Sequence, residues 1–143
     1  MLINKYDYLP EGAIQIRKEV FVEEQGFTME FDVIDDYATH LVCYENSLPI
    51  ATCRYFWNEE IGSYVIGRIA VGKNYRGKKI GACILKEAEK QIREIGEKKV
   101  SLSAQQRAME FYEKQGFIAM GETYLDEDCP HIWMYKLLED KND

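Results

Sequence analysis

Between Gly72 and Gly81 the chain reads GKNYRGKKIG, and this stretch gathers residue types that bind phosphate. Lys73, Arg76, Lys78 and Lys79 put positive charge into a chain whose net charge is −7. Gly72 and Gly77 are spaced as in a P-loop, and Lys78 follows the second glycine. The next residue is Lys79, where a P-loop needs a Ser or Thr hydroxyl on Mg2+. A protonated lysine cannot ligate that metal, which argues against nucleotide hydrolysis. The stretch follows an apolar run, Tyr64 to Val71, and opens a helical stripe. Backbone N–H groups in a first helical turn have no helical partner and lie at the positive end of the dipole, so they attract anions. A diphosphate held by amides without a metal, as coenzyme A requires, fits this chemistry. A solvated basic turn with a glycine for geometry is the bland alternative.

The elements that must position this loop belong to a chain of 143 residues, a length that suits one domain over 1–143. Hydrophobic residues make up 46% and charged residues 30%, as in ordinary globular proteins. An acidic balance argues against nucleic-acid partners, whose phosphate backbones need a basic surface. The segment MLINKYDYLPEG lacks the apolar core of a leader, and nowhere do about 18 apolar residues run together. A cytoplasmic protein without a membrane partner is the expectation. Cys43, Cys53, Cys83 and Cys129 form no CxxC and read as reduced thiols.

Residues 10–25 read as a helix, with Pro10 at its first position and Gly26 as its stop. An acidic loop containing Glu30, Asp32, Asp35 and Asp36 follows. Strands are expected at His40 to Tyr44, Ile50 to Trp57 and Tyr64 to Val71, with a turn at Asn46-Ser47. The short gaps make them an antiparallel meander. Ile80, Ile84, Leu85, Ala88, Ile92 and Ile95 form the apolar stripe of a helix ending near Gly96. A short strand at Val100 to Leu102, a helix from Gln106 to Gln115, and strands at Ile118 to Leu125 and Ile132 to Leu138 complete the chain, with a polar tail from Glu139. The strand–helix–strand unit at the centre implies one parallel pair. The fold class is α+β, a mixed sheet with helices. Tyr55, Phe56, Trp57 and Trp133 read as core aromatics.

Val71 to Ala82, a strand-V-x4-R-G-K-K-I-G-A-helix, resembles the cofactor motif of the GNAT superfamily of N-acetyltransferases, Arg/Gln-x-x-Gly-x-Gly/Ala. Arg76 and Gly81 match, and Lys79 replaces the first glycine. Ala108-Met109-Glu110-Phe111-Tyr112-Glu113-Lys114-Gln115-Gly116-Phe117 is similar to the family's A-x-x-F-Y-x-x-x-G-F segment. Arg17 to Gln25 resembles the R-x-x-V-F-V-x-E-Q helix of the ElaA-like branch, as do Leu102-Ser103-Ala104-Gln105 and Pro130-His131-Ile132. Asp128-Cys129 stand where that branch usually has Gly-Ile before the Pro-His.

The resemblance implies a central, mostly antiparallel sheet flanked by helices and split between the strands ending near Val71 and Ser103. It implies acetyl-CoA as cosubstrate without a metal, and direct attack on the thioester by an amine of a small molecule or peptide. The main chain of Ile69, Ala70 and Val71 would pair with the pantetheine arm. Arg76, Gly77, Lys78, Lys79, Ile80, Gly81 and Ala82 would cradle the diphosphate, with Gln105 also on the cofactor side. Tyr112 is the expected acid for the departing thiolate; packing on the helix's buried face is its other reading. Glu24 and His131 are candidate bases, against a solvated helix-end carboxylate and a hydrogen-bonding imidazole. Asp35 and Asp36 would attract a cationic amine, and His40 would line the acceptor cleft. A homodimer is possible on such a sheet, and a non-catalytic module that binds coenzyme A is the rival function.

Overall fold

The computed structural model describes residues 1–28 and 31–139. Glu30 of the expected acidic loop and the tail from residue 140 lie outside the described residues. The elements in order are β1 (Leu2–Tyr6), α1 (Glu11–Arg17), a π-helical turn (Lys18–Glu24), a 3-10 turn (Val33–Asp36), β2 (Thr39–Glu45), β3 (Leu48–Asn58) and β4 (Ser63–Val71). Then come α2 (Ile80–Ile95), β5 (Lys99–Gln105), α3 (Met109–Lys114), β6 (Ile118–Asp126) and β7 (Cys129–Leu137), with 3-10 turns at Lys73–Tyr75 and Gln106–Ala108. The strands form one seven-stranded sheet in the order β1-β2-β3-β4-β5-β7-β6. It is mostly antiparallel with a parallel β4–β5 pair, the expected α+β arrangement. Among the described residues no helix is long and apolar enough to cross a membrane.

The chain divides into two compact units. The first comprises Met1–Phe56 and Ile66–Ala88. Asn46 and Ser47 both have positive φ, +52° and +68°, so the β2–β3 hairpin closes on a two-residue turn whose twist matches its strands. β1, which the sequence reading overlooked, pairs antiparallel with β2 from Leu2–Tyr44 to Tyr6–His40. Ile16, Val20 and Phe21 pack on Ala70 of β4, with Phe27 against them. Pro10 caps α1 from the extended region instead of opening it. The first half of the α2 stripe, Ile80, Ile84 and Leu85, is buried here.

The second unit comprises Trp57–Val65 and the chain from Glu89 onward. The parallel ladder joins Tyr64 to Val100 and Val65 to Ser101. β7 lies between its two partners, pairing with β5 from Lys99–Leu137 to Gln105–His131 and with β6 from Ile118–Tyr135 to Asp126–Cys129. Leu102, Ala104, Ile132 and Met134 alternate onto the buried face. The end of α2 is capped as expected at Gly96, whose φ is +112°. Gly96 N–H bonds to Arg93 O and Glu97 N–H to Ile92 O, which satisfies carbonyls left open by the last turn. Ile95 departs from the stripe and is exposed. Trp57 is exposed too, its ring edge-on to Tyr64 and its indole N–H donating to Glu59, so it is not the core aromatic expected.

Candidate active site

The basic loop sits in the first unit and is built as the sequence suggested. Gly72 N–H donates to Ile50 O of β3 at 2.8 Å, which pins the loop to the end of the meander. A 3-10 turn carries the chain to Arg76, which is extended, and Gly77 follows with φ +79°. Buried Ile80 anchors α2, whose first intrahelical bond runs from Cys83 N–H to Lys79 O at 3.1 Å. The N–H groups of Ile80, Gly81 and Ala82 precede that bond, in the first turn where an α-helix offers its N–H groups no helical acceptor. Nothing lies within 4 Å of where a Cβ would stand on Gly77, so the turn is open.

Lys79 has φ +63°, a left-handed conformation that suits glycine. This explains why the family pattern has Gly at this position. A lysine held there costs on the order of 1 kcal/mol. Lys79→Gly is therefore expected to raise unfolding stability by about 0.5–1 kcal/mol, read as a higher midpoint in urea.

Two carboxylates of the π-helical turn grip this loop. Arg76 Nη1 and Nη2 donate to the two Glu24 oxygens at 2.6 Å each, and its Nε–H donates to Val71 O at 3.1 Å. Donating to the Glu24 carboxylate pushes the Arg76 pKa up. Lys73 N–H donates to Glu19 Oε2 at 3.1 Å. Glu24, a candidate base, thus has both oxygens on a guanidinium. Ile69, Ala70 and Val71 form the end of β4, with Ala70 buried, and Arg68 just before them has φ +51° within the strand.

The acidic loop differs from expectation. Asp35 is 3% exposed and takes Arg17 Nη1 and Nη2 at 2.8 and 2.9 Å and Arg54 Nη1 at 2.8 Å. Arg54 also holds Asp32 at 2.6 and 3.0 Å, and Arg68 reaches Asp32 at 3.2 Å. The side chain of Asp35 is a partner for buried arginines and is closed to a solvent-borne amine. Burial alone would raise its pKa; the Arg17 and Arg54 bonds outweigh that and hold it well below the carboxylate range. His40 is buried as well, at 1% exposure, so it does not line an open cleft. Its Nε2–H donates to Asp35 O at 3.0 Å, and burial lowers its pKa. Asp36 alone of these three keeps the expected exposure. Sequence reading gave no role to Arg17, Arg54 or Arg68, since nothing local pairs them with the loop.

The second unit carries the other candidates. Gly116, φ +96°, ends α3 with Gly116 N–H on Glu113 O and Phe117 N–H on Tyr112 O, each at 3.0 Å. This cap brings the Phe117 ring edge-on to Tyr112 with centroids 6.1 Å apart. Phe111 flanks Tyr112 at 5.1 Å. The Gly-Phe of the motif therefore fixes the orientation of the Tyr112 ring. His131 stands opposite Gln105 on β5 and Tyr124 on β6. Its Nδ1–H donates to Cys129 O at 2.9 Å, which leaves the Nε2 lone pair as the acceptor of the neutral ring. The Tyr124 ring lies 6.0 Å from the imidazole, and its hydroxyl meets Ser103 Oγ. Gln105 Oε1 accepts from Arg107 Nε at 2.7 Å. Tyr124 was missed in the sequence because no motif contains it; its register with His131 appears only in the folded sheet.

Comparison with known proteins gives one family. The model described as "Acetyltransferase (GNAT) domain" matches residues 5–138. The N-acetyltransferase YjcF of Bacillus subtilis is 33% identical over 138 residues, covering 94% of this chain and 97% of that protein. ElaA of Escherichia coli is 32% identical over 129 residues, covering 86% and 84%. Its crystal structure superposes with a TM-score of 0.80 at 28% identity, covering 94% of this chain and 99% of that one. An acyl-CoA N-acyltransferase from Pseudomonas aeruginosa superposes with a TM-score of 0.83 at 27% identity, covering 94% and 98%.

Proposed function

Because the chain belongs to the GNAT acetyltransferase family, in the branch that holds ElaA, and so is an acyltransferase, we propose that it moves an acetyl group from acetyl-CoA to a primary amine. The observation that carries the reading is the open basic turn from Arg76 to Lys79 feeding the first turn of α2. Its backbone suits a diphosphate: Gly77 leaves room for close approach, and the N–H groups of Ile80, Gly81 and Ala82 belong to a first helical turn, which gives them no helical acceptor. Ile69, Ala70 and Val71 offer strand N–H and C=O groups to the pantetheine amides. Gln105 is assigned to the same cofactor.

Bound acetyl-CoA supplies an activated acetyl group on a thioester. The rest falls to the protein and the acceptor. An alkylamine with a pKa of about 10.4 arrives protonated, and one proton must leave before its nitrogen can attack. His131 Nε2 is our base, directly or through water, because Nδ1–H is fixed on Cys129 O. We assign Glu24 no such role, since both its oxygens serve Arg76. As the carbon–nitrogen bond forms and the carbon–sulfur bond breaks, the sulfur takes a proton from the Tyr112 hydroxyl. Asp36 is the remaining acidic candidate for meeting a cationic acceptor. Gene products of this kind act on small molecules or peptides, and the acceptor here is a free amine of one of them.

Desulfo-CoA should bind with a micromolar dissociation constant, roughly 1–100 μM, in calorimetry without any divalent cation. A dependence on Mg2+ would remove the reading. Thiol release from acetyl-CoA across a panel of amines then separates transfer from mere binding: binding with no release for any amine favours a non-catalytic module.

A further inference from the structure

We propose that Glu19 and Glu24 form a π-helical strap that positions the cofactor loop, so that coenzyme A affinity depends on carboxylates that touch none of its atoms. The inference rests on the reading of residues 76–82 as the diphosphate cradle. Glu19 and Glu24 are five residues apart. In an α-helix that spacing sends side chains to different faces, because residues three and four apart are the neighbours. In a π-helix the backbone bond spans five residues, so residues five apart stack on one face. The turn Lys18–Glu24 is π-helical, with Gln25 N–H bonded to Val20 O at 3.1 Å. Its widened geometry lets both carboxylates reach the same loop.

Each end of the strap holds a different part. Glu19 Oε2 accepts from Lys73 N–H at 3.1 Å, just after β4. Glu24 holds both Nη atoms of Arg76 at 2.6 Å, and the Nε–H of the same guanidinium is tied to Val71 O. Arg76 is therefore a rivet between β4, the loop and the π-helical turn. Beyond it, Gly77 and Lys79 both carry positive φ. Ordering such a turn costs conformational entropy, and a strap that orders it beforehand spares the ligand that cost.

Glu23, exposed on the same turn, is the control, because it carries the same charge without either contact. Titration calorimetry with desulfo-CoA compares wild type, Glu24→Gln, Glu19→Gln and Glu23→Gln. Glu24→Gln should weaken binding about tenfold, the order expected for freeing one long side chain. Glu19→Gln should shift it the same way by about threefold. Glu23→Gln should stay within about twofold. Arg76→Gln combined with Glu24→Gln should weaken binding no more than the stronger single change. Equal or tighter binding by Glu24→Gln overturns the strap, and so does an equal loss in Glu23→Gln, which would mark a general field effect. Should Glu24→Gln fail to melt cooperatively, the Glu19→Gln result decides alone: unchanged affinity rejects the proposal. A base at Glu24 would instead lower turnover at saturating acetyl-CoA and leave desulfo-CoA affinity intact. No binding by wild type would sink the cradle itself, a separate failure.

Discussion

Tyr112→Phe is expected to lower turnover about a hundredfold while acetyl-CoA affinity stays within about twofold, at the low end of what a positioned acid contributes. The substitution removes one oxygen and leaves the ring between Phe111 and Phe117. The Gly116 cap depends on backbone groups and ring packing, so α3 should keep its place. An effect on KM for acetyl-CoA alone would show Tyr112 to be packing and not chemistry. Unchanged thiol release would take the hydroxyl out of the reaction. The comparison needs an amine that supports turnover by the wild type, found first by the panel.

The other large effect concerns stability. Asp35→Asn should destabilise the chain by about 3–5 kcal/mol, because two buried guanidinium groups would lose their shared counter-charge. Against a total of about 5–15 kcal/mol, that change is plain in urea unfolding. A loss below about 1 kcal/mol would mean that the arginines find other partners. The pH dependence has a definite sign. Asp35 and Asp32 are both held below their ordinary values in the folded state; burial works the other way but is outweighed by Arg17 at Asp35 and by Arg54 at Asp32. Their contribution is fully present above the unfolded value of about 3.9 and is lost as pH falls below it. The Asp35→Asn variant should therefore show a flatter loss of stability than wild type as pH falls from about 4 to about 2.

These two results draw on different degrees of legibility. The α2 stripe from Ile80 to Ile92 and the glycine stops at Gly96 and Gly116 are local patterns, and the folded chain keeps them. The basic loop between β4 and α2 was readable as a loop because a helix start carries its own signal in glycines and basic residues. Asp35 was not. Its partners Arg17 and Arg54 lie 18 and 19 residues away, and no periodicity links an aspartate in a loop to a guanidinium on a helix or strand. The π-helical turn escaped for a related reason. Val20, Phe21 and Glu24 fit a 3.6-residue repeat over so few residues that a wider turn leaves no separate trace. β1 escaped because Leu2 is exposed and its neighbours are half-buried, so the strand lacks the clean alternation that marks one. Tyr124 and His131 meet by strand register, which is set by the β6–β7 hairpin.

That hairpin sets an order of events during synthesis. β7 is made after β5 and β6, yet both of those strands hydrogen-bond to it. Until Leu137 has cleared the ribosome, neither of those earlier strands can complete its ladder, and each presents an unpaired rim to neighbouring nascent chains. A stop codon anywhere within Cys129–Leu137 would make that exposure permanent, and the truncated product should be lost to aggregation or proteolysis rather than accumulate as a shortened protein.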